Sequence, residues 1–226
     1  MSTPDNSFHK GHRERLRQKF LDDKLVVYEK LELLLGYIIP RQDVKPLAHR
    51  LLNQFGTLSQ VFSAPMEQLL TCEGVGKNTA IFIKLLNEIM KDGYKSDLDK
   101  RPIFHNPEIL KNYCKCMLAG KSVEECHVLY LDSDYRLLVD DLHSRGTYNE
   151  SSVYPREIIK RALSLNARSI VMVHNHPVSD AGFSSDDVAI TEYVNKLSKE
   201  LGIQLYDHLL VSKYVMYSAR DMGLFQ

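Results

Sequence analysis

The chain has 226 residues, of which 44% are hydrophobic and 26% charged, and its 29 Lys and Arg balance 29 Asp and Glu. This length and composition are typical of a globular protein with one large or two smaller domains. A net charge of zero argues against a uniformly basic nucleic-acid coat. No apolar run reaches the length of a membrane span, and the N-terminus lacks the apolar core of a signal peptide. The four cysteines show no framework spacing, so we expect reduced thiols and a cytoplasmic protein without a membrane partner.

The first part of the chain is predicted to be helical. From Glu29 to about Met90, apolar residues recur at spacings of three and four, as in "YEKLELLLGYII" and "DVKPLAHRLLNQF". The polar segment "KDGYKSDLDKRP" that follows is typical of a linker. We therefore predict a small all-helical domain over residues 1–98 and a second domain over residues 99–226.

Two features of the helical part are candidates for binding phosphate groups of DNA. The segment "LLTCEGVGKNTA" resembles a helix-hairpin-helix element, in which Gly74 and Gly76 let backbone amides approach a phosphate and Lys77 adds charge. The same glycines also suit a plain tight turn between two packed helices. A basic cluster precedes this segment, and it is compatible with phosphate binding or with a solvated helix face; its members are Lys10, Arg13, Arg15, Arg17 and Lys19.

The second domain has a different pattern, in which short strands alternate with helices. The runs "CHVLYLD" and "RLLVDDLHSRG" are strand-like and flank a turn at "SDY". Continuous apolar residues in "RSIVMVHNH" indicate a buried strand, while "PREIIKRALSLN" and "SSDDVAITEYVNKLSKELG" have helical periodicity. The runs "IQLYDHLLVS" and "YVMYSAR" complete the set as strands. This mixture predicts an α/β (α+β) fold.

Candidate metal ligands cluster at the end of the buried strand. His174 and His176 are two residues apart, so in extended chain both rings point to the same side. Asp187 falls early in the next helix, which starts near the end of that strand. Two imidazoles and one carboxylate suit Zn²⁺ and leave a fourth position for water, whose pKa zinc lowers to about 7. Ser184 is placed to donate a hydrogen bond to an oxyanion, to cap the helix, or to do both.

This pattern, "HxHPx6SxxD", resembles the signature of JAMM metalloproteases, which are also called JAB or MPN-plus proteins. The segment "GTYNESSVYPREIIKRALSLNARSIVMVHNHP" is similar to the RadC family in particular, and the resemblance covers nearly the whole chain. It implies a mixed sheet flanked by helices, zinc bound by His174, His176 and Asp187, and an upstream glutamate as general acid/base. The loop departs from the family's usual "HNHPSGDPxPS", because this chain has "HNHPVSDAGFS".

The acid/base residue is one of two neighbours. Glu124 aligns with the acid of RadC-like sequences, whereas Glu125 keeps the offset of other JAMM enzymes. Since neighbours in a strand face opposite sides, one of them can serve, and we choose Glu124. Among the other histidines, His208 is expected to form a buried pair with Asp207 that supports the sheet, and a contact with a metal ligand is the less favoured alternative.

Two classes of function follow. The first is a zinc hydrolase that cleaves a peptide or isopeptide bond in a peptide or protein substrate. The second is a DNA-associated accessory protein of repair or recombination, in which the zinc domain is structural or inactive. Nuclease chemistry is a further form of this alternative. The complete ligand pattern and the upstream acid favour the enzyme.

Overall fold

The computed structural model describes residues 7–146 and 153–225, and the side chains from residue 11 onward. The chain divides into two compact units, unit 1 over residues 1–87 and unit 2 over residues 88–226. Within the described ranges, no helix combines the length and apolar character needed to cross a bilayer. The four cysteines are free thiols.

Unit 1 is helical, as the apolar periodicity predicts. Its helices are α1 (Ser7–Leu21), α2 (Val27–Ile38), α3 (Lys45–Phe55), α4 (Leu58–Ser63), α5 (Met66–Thr71) and the first part of α6 (Lys77–Lys100). Gly56 ends α3 with a φ of +95°, and Thr57 then caps α4 by accepting a hydrogen bond from the Gln60 amide. The helices enclose one apolar core, which includes Leu31, Leu35, Leu51, Val61, Leu69 and Ile83.

The segment predicted as a linker is helical instead, because α6 continues to Lys100. The physical reason is that Tyr94 and Leu98 lie four residues apart and both pack into the core of unit 2, where Leu98 is buried. The intervening Lys95 and Ser96 are exposed, so the polar residues of this segment form the solvent-facing side of a helix. The predicted boundary between residues 98 and 99 stays a prediction.

Unit 2 contains a mixed five-stranded sheet, which confirms the predicted α/β class. After a short 3-10 helix (Ile103–His105) and α7 (Pro107–Leu118) come β1 (Glu124–Leu131), β2 (Leu137–Gly146), α8 (Pro155–Ser164), β3 (Ser169–Asn175), α9 (Ser185–Glu200), β4 (Gln204–Val211) and β5 (Met216–Ser218). The strand order is β2-β1-β3-β4-β5. Only β3 and β4 pair in parallel among these strands, and α9 connects them.

The sheet is covered on both faces because its strands alternate between two cores. Leu129 and Val171 belong to the core that contains α7, while Val128 and Met172 belong to the core that contains α8 and α9. β3 is buried along its whole length, as its continuous apolar run predicts. Residues of even number at the ends of β1 and β3 therefore face α9, and their odd-numbered neighbours face α7.

Candidate metal centre

The chain topology brings the candidate ligands to one end of the sheet. β3 ends at Asn175, and α9 starts ten residues later at Ser185 before it leads into the parallel strand β4. β1 runs antiparallel to β3, with Cys126 opposite His174. Glu124, two residues before Cys126, therefore lies beside the histidine pair on the face covered by α9.

The separations of the donor atoms match a tetrahedral zinc site. His174 Nε2 lies 3.2 Å from His176 Nε2 and 3.3 Å from Asp187 Oδ1, and His176 Nε2 lies 3.6 Å from Asp187 Oδ2. Zinc bonds of about 2.0–2.1 Å at tetrahedral angles require ligand atoms roughly 3.3–3.4 Å apart. Two imidazole nitrogens and a carboxylate oxygen also form a donor set that zinc prefers, so the chemistry of these residues fits the ion.

Glu124 is the glutamate that faces this cluster. Its carboxylate and the ring nitrogens of His174 and His176 lie within 4.8 Å of one another. Glu125 points to the opposite face, where its buried carboxylate contacts Lys121 and Arg145, each at 3.2 Å. The two neighbours thus have different surroundings, and only Glu124 of the pair lines the candidate site.

Asn175 holds the backbone on both sides of Glu124. Its Oδ1 accepts a hydrogen bond from the Glu125 amide at 2.8 Å, and its Nδ2 donates to the Val123 carbonyl at 3.1 Å. The β1–β3 register reaches Cys126, two residues short of Glu124. The Asn175 side chain therefore ties the start of β1 to the end of β3 beyond the backbone ladder.

Asp187 is fixed by the capping box of α9. Its Oδ2 accepts hydrogen bonds from the Ser184 amide at 2.8 Å and from the Ser184 hydroxyl at 2.7 Å, while Ser184 Oγ accepts from the Asp187 amide. Ser184 is therefore the N-cap, and in this structure its hydroxyl proton is directed to Asp187. The predicted role of Ser184 toward an oxyanion stays a prediction.

The members of the cluster shift one another's pKa values. Burial alone would raise the pKa of Asp187, but hydrogen bonds from the two histidines and from Ser184 outweigh it and lower that pKa well below its ordinary range. The hydrogen bond with Asp187 in turn raises the pKa of His176. Since metal ligands must be deprotonated, a metal ion and protons would compete for these groups.

His208 contacts the cluster directly, which is the less favoured of the two roles expected for it. Its Nε2 lies 2.9 Å from His174 Nδ1, and its Nδ1 lies 2.6 Å from Thr191 Oγ1. Burial lowers the pKa of His208 well below the ordinary histidine value, so the ring is neutral. The adjacent Asp207 instead accepts a hydrogen bond from Ser218 at 2.7 Å.

A cavity of about 770 Å³ opens onto these residues. Phe183 forms part of its wall, with its ring centroid 5.9 Å from that of His174 and 5.1 Å from that of His208. Val178, in the same loop, is 88% exposed. The Cys126 thiol also lines the cavity, and burial raises its pKa to about 12, so it is protonated at neutral pH. The loop residues that depart from the family pattern thus border the space in which a substrate would bind.

The candidate DNA-binding residues lie elsewhere, in unit 1. Gly74 has a φ of +92° in the turn between α5 and α6, and Lys77 is the first residue of α6. In α1, the side chain of Lys10 lies outside the described residues. Arg13 donates to the Gln42 carbonyl at 2.7 Å, and Lys19 pairs with buried Glu29 at 2.6 Å, so these two cations have partners within the unit.

Sequence reasoning missed Asn175 and Thr191. Asn175 lies between the two histidines, so its side chain points to the other face of β3. This orientation indicates that it hydrogen-bonds the backbone rather than lining the cavity. Thr191 follows Asp187 by four residues, so both lie on one face of α9. These signals identify a face of an element, but the partners come from distant parts of the chain.

Comparisons with known proteins relate the chain to one family. Residues 104–224 match the family described as the RadC-like JAB domain. The chain is 39% identical over 234 residues to UPF0758 protein FN0909 of Fusobacterium nucleatum subsp. nucleatum, covering 99% of this chain and 100% of that protein. It is also 39% identical over 220 residues to UPF0758 protein SPO0054 of Ruegeria pomeroyi, covering 96% of this chain and 98% of that protein. Neither name states an activity.

Proposed function

The chain belongs to the RadC family of JAB-domain proteins, and from this membership and the geometry of its site we propose that it is a zinc-dependent hydrolase. The bond cleaved is an amide, in a peptide or isopeptide linkage of a peptide or protein substrate. The observation that carries the proposal is the convergence of His174, His176 and Asp187 at separations of 3.2–3.6 Å, with Glu124 beside them.

His174, His176 and Asp187 would hold the ion. We assign Asp187 as the third ligand because its Oδ1 lies 3.3 Å from His174 Nε2, close to the edge of a tetrahedral site. Its Oδ2 is already engaged by Ser184, which orients the carboxylate before any ion binds. When bound, zinc supplies Lewis-acid activation of a water molecule and of the scissile carbonyl.

Glu124 would move the protons of the reaction. Amide hydrolysis requires a base that takes a proton from the attacking water and an acid that protonates the leaving nitrogen. A carboxylate within 4.8 Å of the two imidazoles is placed to reach a water molecule between them, and it can perform both transfers in turn. The surrounding cavity of about 770 Å³ has the size of a pocket that takes a drug-sized ligand, so it has room for part of a peptide beside the site.

Metal content and turnover of paired variants test this proposal. We expect about one zinc per chain in the purified full-length protein and none in the His174→Ala, His176→Ala double variant. Glu124→Gln should keep zinc and lose hydrolysis of a peptide library. Glu125→Gln is the matched control, because it removes a neighbouring charge on the opposite face. Unchanged zinc content in the double variant refutes the ligand assignment, and an active Glu124→Gln variant refutes the acid/base assignment.

A DNA-associated accessory role is the second candidate, and it rests on unit 1. The positive φ of Gly74 and the absence of an acidic residue in the first turn of α6 favour a phosphate at this helix start. In that case the JAB-type unit would be structural or inactive. Binding of duplex DNA together with no hydrolysis by zinc-loaded protein would favour this candidate over the hydrolase.

A further inference from the structure

One side of the cavity is apolar, and it lies beside the proposed ligands. Its floor is formed by Cys126 and Met172, which are at most 3% exposed. Its walls are formed by Val153 and Ile190, which are half-buried and pack against the core that contains α8 and α9. Because both walls rest on a close-packed core, their shape is set before a substrate binds. These four residues are called the apolar subsite below.

Strand and helix geometry place the apolar subsite within reach of a substrate at the cluster. On β3, Met172 precedes His174 by two residues, so both point to one face about 6–7 Å apart along the strand. Cys126 lies opposite His174 on β1. On α9, Ile190 follows Asp187 by three residues, so the two are neighbours on the helix surface. A peptide whose scissile carbonyl lies at the cluster has the Cα atoms of its flanking residues within about 4 Å of that carbonyl, so a flanking side chain reaches the subsite.

The polarity of the cavity selects against charged and amide side chains at this position. The carboxylates that line it are those of Glu124, Asp186 and Asp187, and none of the described lining residues is a lysine or an arginine. An acidic side chain in the apolar subsite would be buried close to like charges without a cation to pair with. An amide side chain would lose hydrogen bonds to water that the four subsite side chains do not replace. An apolar side chain, in contrast, gains by leaving water.

We propose that Val153 and Ile190 are specificity-determining residues, which select an apolar side chain in the substrate residue that flanks the cleaved amide. This inference rests on the proposed function, because it assigns a substrate class to the same site. The binding preference of the apolar subsite requires neither zinc nor hydrolysis, however, and it is therefore measured separately.

Titration of the full-length protein with capped amino acids, followed by methyl NMR, measures this preference. The probes are N-acetyl-leucinamide and N-acetyl-asparaginamide, whose side chains have similar shapes and differ in polarity. We expect the leucine probe to shift the methyl resonances of Val153 and Ile190 and to bind about 10–100-fold more tightly than the asparagine probe. N-acetyl-glycinamide controls for binding of the caps alone. Equal affinities of the leucine and asparagine probes, or shifts confined to other methyl groups, would overturn the proposal.

Alanine substitutions at two positions of α9 locate the preference. Ile190→Ala should weaken binding of the leucine probe by about 4-fold for each methylene contact that is lost, and it should leave the asparagine probe unaffected. Val188→Ala is the matched control, because Val188 is also half-buried on α9 but lies outside the cavity lining. Equal effects of the two substitutions would refute the role of Ile190. If Ile190→Ala does not fold, the wild-type titration still decides.

Cleavage of a peptide library by zinc-loaded wild type links the apolar subsite to the reaction. Apolar residues should be enriched beside the cleaved bonds, and cleavage without such enrichment would overturn the proposal. If wild type binds no zinc or cleaves no peptide but still prefers the leucine probe, the proposed function fails and the binding preference stands. If wild type cleaves peptides but does not distinguish the leucine and asparagine probes, the subsite assignment alone fails.

Discussion

Replacing Asn175 with leucine should release the backbone on both sides of Glu124. Leucine has a similar branched shape but forms neither hydrogen bond. The Glu125 amide would lose a fully buried partner, at a cost of about 1–3 kcal/mol, and the partly buried Val123 carbonyl would lose less. We therefore expect unit 2 to lose about 2–4 kcal/mol of stability. The Glu125 amide should exchange roughly 5–150-fold faster with solvent deuterium.

Site-resolved hydrogen exchange measures this effect with an internal control. The Val128 amide, in the part of β1 that pairs with β3, should keep its protection apart from the global loss of stability. Asn175→Asp retains an oxygen for the Glu125 amide, although it replaces the donor to Val123 with a charged oxygen, so the Glu125 amide should stay better protected than in Asn175→Leu. Zinc should still bind to the leucine variant, while hydrolysis should fall because Glu124 is less ordered. If the Glu125 amide of Asn175→Leu exchanged at the same rate as in wild type, the reasoning would be refuted.

Two further predictions concern the buried charge of unit 2 and the helix start of unit 1. Burial alone would raise the pKa of Asp140, but hydrogen bonds from His127 and Tyr113 outweigh it and lower that pKa. Its contribution to stability is therefore present above the unfolded pKa of about 3.9 and is lost as pH falls through the lower folded pKa. Asp140→Asn should be less stable than wild type at neutral pH and lose less stability in acid, as measured by urea unfolding; equal acid losses would contradict this. If the start of α6 binds DNA phosphates, Lys77→Ala should weaken duplex binding and reduce its salt slope by about one, whereas Lys100→Ala should not; equal effects would exclude a specific contact at Lys77.

The fold and the convergence of the two histidines were predictable where the signal is local. A continuous apolar run identified β3, and the two-residue spacing placed both histidines on one face, because side-chain alternation is a property of the strand itself. The same alternation showed that only one of Glu124 and Glu125 can face the histidines. The choice of Glu124 as that residue came from the family resemblance. The polar segment before residue 100 was wrongly predicted to be a linker. Its two apolar residues, Tyr94 and Leu98, are too few to show a helical period without the core on which they pack.

The supporting residues were not predictable because their partners are distant in sequence. Asn175 and Glu125 are 50 residues apart, and Thr191 and His208 are 17 apart on different elements. Helical periodicity places Thr191 on the face of α9 that carries Asp187. The sequence around Thr191, however, does not indicate that its hydroxyl contacts a histidine of β4. The interpretation of His208 failed for the same reason, since its chain neighbour Asp207 points to the other face of β4 and bonds Ser218.

The candidate site is assembled from β1, β3, α9 and β4, so it exists only when the centre of the sheet is complete. An ion that binds there would stabilise the folded form of unit 2 over its unfolded form by mass action. Free zinc at about 1,000 times its dissociation constant would add about 4 kcal/mol. Unit 1 contributes no residue to this cluster among the side chains described. If zinc is the ion that binds there, the resistance of the second unit to proteases would therefore rise and fall with the zinc supply of its surroundings.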